Sequence, residues 1–148
     1  MNITGLNHVS ITTANLDRAL GFYQDLLGLE LLGDGEVERP HLDRIIGLGH
    51  VRLRWAELDL GSGQILELFQ YLEPPGTPLE QRTSDPGSVH LALNVDDIHT
   101  IHTRLIAAGV TTRSEPIPIP TGNWAGAWSL YAVDPDGVTI ELIQLPGA

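Results

Sequence analysis

One eight-residue strand pattern occurs twice. Gly63-Gln64-Ile65-Leu66-Glu67-Leu68-Phe69-Gln70 lies on Gly137-Val138-Thr139-Ile140-Glu141-Leu142-Ile143-Gln144 at a constant offset of 74 residues. In a strand, successive side chains point to opposite faces. Leu66 and Leu68, like Ile140 and Leu142, therefore share one apolar face, and Glu67 and Glu141 stand on the other. Each copy also follows a strand that opens with histidine, Asn7-His8-Val9-Ser10-Ile11 in the first half and Val89-His90-Leu91-Ala92-Leu93 in the second. Such a chain folds as two copies of one unit, each holding a His and a Glu.

The remaining elements fit that plan. Asn15 is placed to cap a helix, Leu16, Ala19, Leu20, Tyr23, Leu26 and Leu27 recur at helical spacing, and Gly28 closes it. A short strand is expected around 29–33. Residues 34–49, with Gly-Asp-Gly, Arg39-Pro40-His41 and Gly47-Leu48-Gly49, carry turn residues and little pattern, so a mobile specificity loop is expected. His50 to Leu60 and Ile65 to Leu72 form a hairpin across Gly61-Ser62-Gly63. The proline-rich stretch 74–87 reads as a linker between a first module, 1–73, and a second, 88–148. The second runs through a strand at 88–95, a helix from Asp97 to Ala108 closed by Gly109, a short strand at 110–114, the stiff loop 116–124, and strands 126–134 and 138–145. Between these last two, Asp134-Pro135-Asp136-Gly137 supplies a tight turn. Both modules are β-α-β-β-β, and the fold class is α+β.

Composition narrows the partners. A net charge of −11 argues against nucleic acid and acidic membrane surfaces, since phosphate binding needs clustered cations. No stretch of 18 apolar residues occurs, and the N-terminal residues lack signal-peptide character, so a soluble cytoplasmic protein is expected. Cysteine and lysine are both absent, which removes thiolate ligands, cysteine nucleophiles and Schiff-base chemistry.

Two imidazoles and two carboxylates, His8, Glu67, His90 and Glu141, make a mixed nitrogen and oxygen set suited to Zn, Ni, Co, Mn or Fe as the divalent ion. Burying two unpaired carboxylates is costly, and a divalent cation is the simplest compensation. Other groups receive plainer readings. His99 and His102 belong to the solvent side of the second helix. His41 and His50 border the 34–49 loop, within reach of a substrate. Arg52 and Arg54 share a strand face as a solvated edge or an anion grip. Trp55, Tyr71, Trp124, Trp128 and Tyr131 belong either to the core or to the wall of an apolar pocket. Gln70 and Gln144 face the helix side or the rim and carry no chemistry.

His8, the run Leu16-Asp17-Arg18-Ala19-Leu20-Gly21-Phe22-Tyr23-Gln24-Asp25-Leu26-Leu27-Gly28-Leu29, and the segments Val95-Asp96-Asp97-Ile98, Gly109-Val110 and 134–144 together resemble the vicinal-oxygen-chelate proteins. These include glyoxalase I, methylmalonyl-CoA epimerase, extradiol dioxygenases and the fosfomycin and bleomycin resistance proteins. The resemblance spans nearly the whole chain and implies paired βαβββ modules forming a U-shaped, barrel-like mixed sheet with helices outside, around a divalent metal that chelates adjacent substrate oxygens. Residue by residue, it makes His8, His90 and Glu141 the three shared metal ligands and Glu67 the fourth. That fourth position is Glu in glyoxalase I and Gln in the epimerases, and typical extradiol enzymes do without it. Thr12 stands where glyoxalase I usually carries a glutathione-gripping arginine.

The resulting expectation is a metal-dependent isomerase, epimerase or lyase acting on a small α-oxygenated carbonyl compound through a metal-stabilised enediolate, with Glu141 or Glu67 as base. The alternatives are an extradiol ring-cleaving dioxygenase using His8, His90 and Glu141, with Tyr131 or a loop residue near the substrate, and a non-catalytic drug-binding resistance protein. A homodimer is expected, with a small molecule as the partner.

Overall fold

The structure is a computed structural model and describes residues 2–148. The chain divides into two compact units, the first ending at Pro78 and the second beginning at Leu79. The first contains β1 (His8–Thr12), α1 (Leu16–Leu20) continuing into a π-helical segment (Gly21–Leu26), β2 (Glu30–Glu38), α2 (Pro40–Ile46), β3 (Arg52–Gly61) and β4 (Gln64–Glu73). The second contains β5 (His90–Asn94), α3 (Ile98–Ala107), β6 (Ile117–Pro118), β7 (Trp128–Val133) and β8 (Thr139–Gln144). Each unit is a four-stranded mixed sheet, ordered β1-β4-β3-β2 and β5-β8-β7-β6. In both, the His-bearing strand runs parallel to the Glu-bearing strand, and the hairpin pairs are antiparallel. No helix among the described residues is long and apolar enough to cross a membrane.

The alternation predicted for the repeated strand holds in three dimensions. In the first unit Leu66, Leu68, Leu58 and Ala56 are fully buried, as are Leu16 and Tyr23 of the helix that packs on β3 and β4. In the second unit Ile140, Leu142 and Ala132 are fully buried together with Ile98 and Leu105 of α3, which packs on β8. Each such leucine or isoleucine contributes roughly 1.5–3 kcal/mol relative to exposure. The opposite face of each sheet is thereby left for the polar residues.

The repeated glutamines, read from sequence as without chemistry, have a structural task. Asn15 caps α1 by accepting from the Arg18 N–H, and Asp97 caps α3 by accepting from the His99 and Thr100 N–H groups. The first helical N–H is left over in each case. Gln70 Oε1 accepts it from Leu16 at 3.0 Å, and Gln144 Oε1 accepts it from Ile98 at 2.9 Å. Helix and sheet are thus bolted together by one hydrogen bond repeated in both units. Gly28 and Gly109 end the two helices at positive φ, 82° and 75°, where a side chain would be strained.

Several expectations are corrected. Residues 34–49 are not one mobile loop: β2 continues to Glu38, and Pro40 opens α2, whose C-cap is Gly47. The glycines that suggested turns lie inside β2, where they accommodate Trp55. A Cβ at Gly35 would stand 3.2 Å from Trp55 Nε1, and one at Gly33 would stand 3.6 Å from its ring. Strand glycine here marks close approach rather than a bend. The strand expected at 110–114 reduces to a single bridge between Thr112 and Ala132. The stiff loop 116–124 instead supplies β6 as a two-residue edge strand on β7, a place that tolerates proline. His102, expected in solvent, is half-buried with Nε2 3.4 Å from Thr112 Oγ1, while exposed His99 sets its ring edge-on to Trp128 at 5.0 Å.

Candidate functional site

Register places the expected site residues. In the first unit Ser10 pairs with Glu67 across β1 and β4, and Glu57 pairs with Glu67 across β3 and β4. His8, two residues before Ser10, shares that face. Its Nε2 lies 3.1 Å from Glu67 Oε2, and the Glu67 side chain is only 19% exposed. In the second unit Ala92 and Tyr131 flank Glu141, and His90 Nε2 lies 3.2 Å from Glu141 Oε2, with Glu141 17% exposed. The repeat of sequence is therefore a repeat of geometry.

Each pair is oriented by a neighbour that the sequence did not single out. His8 Nδ1 lies 2.7 Å from Asn7 Oδ1. A carboxamide oxygen only accepts, so Nδ1 donates to Asn7 and Nε2 is the nitrogen turned to Glu67. A ring nitrogen and a carboxylate oxygen at that distance share a cation between them, either a proton or a metal ion. In the second unit Ser129 Oγ donates to Glu141 Oε1 at 2.7 Å, leaving Oε2 for the His90 side. Tyr131 stacks at a tilt on His90, centroids 5.4 Å apart. Burial first, and then the Glu141 charge, hold the Tyr131 phenol above its ordinary value of 10, so it remains a proton donor at neutral pH. Asn7 was legible only as the neighbour of His8. Ser129 needed the β7–β8 register, which sequence spacing does not supply.

The structure brings His8 to Glu67 and His90 to Glu141. Among the described residues no group of three or more His, Asp or Glu side chains is spaced to hold a metal ion. Of the other candidates, Arg54 makes a two-pronged ion pair with Asp17 at 2.8 and 3.2 Å, and Arg52 pairs with Glu36 at 2.9 Å, so both are committed to carboxylates rather than to an anion. His50 lies 3.7 Å from Glu38 and 3.9 Å from Glu73. Trp55 and Tyr131 sit on the faces that carry the His/Glu pairs. Trp128, in step with buried Leu130 and Ala132, faces α3, and Trp124 is exposed in the loop before β7.

This fold and these pairs coincide with a known grouping. The family model of the Glyoxalase/Bleomycin resistance protein/Dioxygenase superfamily matches residues 5–142, and the chain belongs to that superfamily. It is 33% identical to a 2-epi-5-epi-valiolone epimerase of Actinomyces over 95% of this chain and 79% of the relative. It is 32% identical to a probable lactoylglutathione lyase of Vibrio cholerae over 93% of this chain and 88% of the relative. Among solved structures, a glyoxalase family protein from Bacillus cereus superposes with a TM-score of 0.86 at 25% identity, covering 99% of this chain and 97% of that one.

Proposed function

We propose that the protein is a metal-dependent isomerase, epimerase or lyase acting on a small α-oxygenated carbonyl compound. His8, Glu67, His90 and Glu141 are the proposed ligands. The observation that carries the reading is the repeated His/Glu pair, 3.1 Å in one unit and 3.2 Å in the other, each with a second polar group fixing one partner. The donor chemistry fits a divalent ion of the Zn, Ni, Co, Mn or Fe series. Such an ion, when bound, supplies polarisation of the two adjacent substrate oxygens.

The chain's own groups supply the rest. Glu67 and Glu141 are the carboxylates placed to accept a proton from the carbon beside the carbonyl and return it, and a returned proton on the other face inverts that centre. Asn7 and Ser129 hold the pairs in place. Tyr131, beside Glu141, offers a phenolic proton to a substrate oxygen. The names of the relatives, epimerase and lactoylglutathione lyase, support proton transfer without dioxygen. Thr12, where an arginine would grip glutathione, argues against a glutathione-dependent activity. A homodimer is also proposed, because β1 and β5 are end strands of their sheets and end strands seek partners.

Metal content of wild type and Glu67→Ala, measured together with solvent-deuterium exchange into an α-hydroxyketone, tests this reading. Stoichiometric metal and anaerobic exchange in wild type, both lost in Glu67→Ala, are expected. Full metal and exchange in Glu67→Ala would remove Glu67 from the site, and exchange that needs dioxygen would replace the isomerase reading with the dioxygenase one.

A further inference from the structure

We propose that the sheet face carrying His8 and Glu67 selects a neutral, hydroxyl-bearing ring over an anionic conjugate, with Trp55 as the plate on which the ring lies and Glu57 as acceptor for its hydroxyls. This rests on the assignment of His8 and Glu67 to the substrate site.

Register sets the surface out in rows. One runs Gly35, Trp55, Phe69 across β2, β3 and β4, and the next runs Gly33, Glu57, Glu67. The indole does not stand up from β3 but leans over β2, because Gly35 and Gly33 have no side chains there; added Cβ atoms would lie 3.2 Å from Nε1 and 3.6 Å from Cη2. Trp55 is half-buried, with its indole over the β2 backbone and Glu57 next along the same face of β3. The two glycines make room for the plate.

The charges on this face point to the ligand. Glu57 stands directly across from Glu67, and like charges at that position are unfavourable in a sheet unless something else shares the space. No ion pair or hydrogen bond to the Glu57 side chain occurs among the described residues. Asp59 follows on the same face, and its Oδ1 is engaged by the Gly61 N–H. The arginines of β3 are committed elsewhere, Arg54 to Asp17 on α1 and Arg52 to Glu36. A surface of carboxylates without a free strand cation repels a thiol conjugate carrying its own carboxylates, or a phosphorylated acyl carrier. Ionised carboxylates only accept hydrogen bonds, so hydroxyl donors suit them. An indole face is electron-rich and matches the polarised C–H face of a saturated ring. A polyhydroxylated cyclic ketone combines both features with the adjacent oxygens a chelating metal needs.

The test is binding to the metal-loaded protein, read by tryptophan fluorescence and calorimetry, with a pentahydroxycyclohexanone and S-hexylglutathione as probes. Wild type is expected to bind the cyclohexanone at least about tenfold more tightly than the glutathione derivative. Trp55→Ala should weaken the cyclohexanone about tenfold, with Trp55→Phe intermediate and metal stoichiometry unchanged in both. Gly35→Ala, which retains the tryptophan but crowds its Nε1, should weaken the same probe. Glu57→Gln should narrow the discrimination by admitting S-hexylglutathione. Equal or tighter binding of S-hexylglutathione by wild type, or cyclohexanone affinity indifferent to both Trp55→Ala and Gly35→Ala, overturns the proposal. A protein that takes up no metal yet binds the cyclohexanone through Trp55 overturns the metal-dependent reading and leaves this one standing.

Discussion

Replacing Ser129 with alanine removes the hydroxyl that holds Glu141 and nothing else. Its Oγ donates to Glu141 Oε1 at 2.7 Å, and the acceptor side chain is 17% exposed, so water replaces the lost donor poorly. A hydrogen bond to a charged group contributes about 1.5–3 kcal/mol net. Loss of a partner that orients a metal ligand costs about 10–100-fold in metal affinity, which at about 1.4 kcal/mol per tenfold is the same range reached by a second route. The expected result is therefore a 10–100-fold rise in the Kd for Zn²⁺ or Ni²⁺ when the metal-free protein is titrated by calorimetry. Ser129→Thr, which keeps the hydroxyl on a residue that suits a strand, should stay near wild type. If Ser129→Ala binds metal as tightly as wild type while Glu141→Gln does not bind it, the hydroxyl is not orienting the ligand and the reasoning fails.

The helix–sheet bolts are open to the same kind of measurement. Gln144→Leu should strand the N–H of fully buried Ile98 and cost about 1–3 kcal/mol, lowering Tm by roughly 2–12 °C in a thermal melt. Gln70→Leu should do the same through Leu16, and a Tm within a degree of wild type in either variant would show that water serves that N–H. At the start of α3, the Thr100 hydroxyl and then its N–H hold the Asp97 carboxyl below its ordinary 3.8. A lowered carboxylate stabilises the fold above its unfolded value and loses that contribution as pH falls through the folded one. The stability gap between wild type and Asp97→Asn should therefore be full at neutral pH and shrink below about pH 3.8, followed by acid titration of the melt. A gap that is flat with pH would mean the carboxylate's charge is not what caps α3. Chelator treatment of the purified protein should abolish deuterium exchange, and added divalent metal should restore it; exchange that survives complete metal removal would argue against a metal-dependent proton transfer.

Local pattern was strong wherever one physical requirement acts along a strand or helix. Alternation in 63–70 and 137–144 announced which face is apolar and put Glu67 and Glu141 on the other, because successive side chains of a strand point to opposite faces. Capping by Asn15 and closure by Gly28 and Gly109 were equally legible, since each answers an orphan backbone group or a positive φ at a fixed position, whereas Asp97, read as the first residue of its helix, proved to be the cap. The pattern misled at Gly33 and Gly35. Glycine there serves a neighbour on another strand rather than its own backbone, and a turn-rich composition has no way to show that.

The residues by themselves determined the two-unit plan, the polar and apolar faces, and the presence of one imidazole and one carboxylate in each half, because these follow from periodicity and from a repeat. Tertiary structure alone decided that Gln70 and Gln144 reach back to the helices, that Ser129 holds Glu141, that Glu57 confronts Glu67, and that Trp55 lies down across β2. The glutamines depend on how helix packs on sheet, and Ser129, Glu57 and Trp55 on the register of paired strands. That register is fixed by which buried faces pack best, and no single segment contains that information.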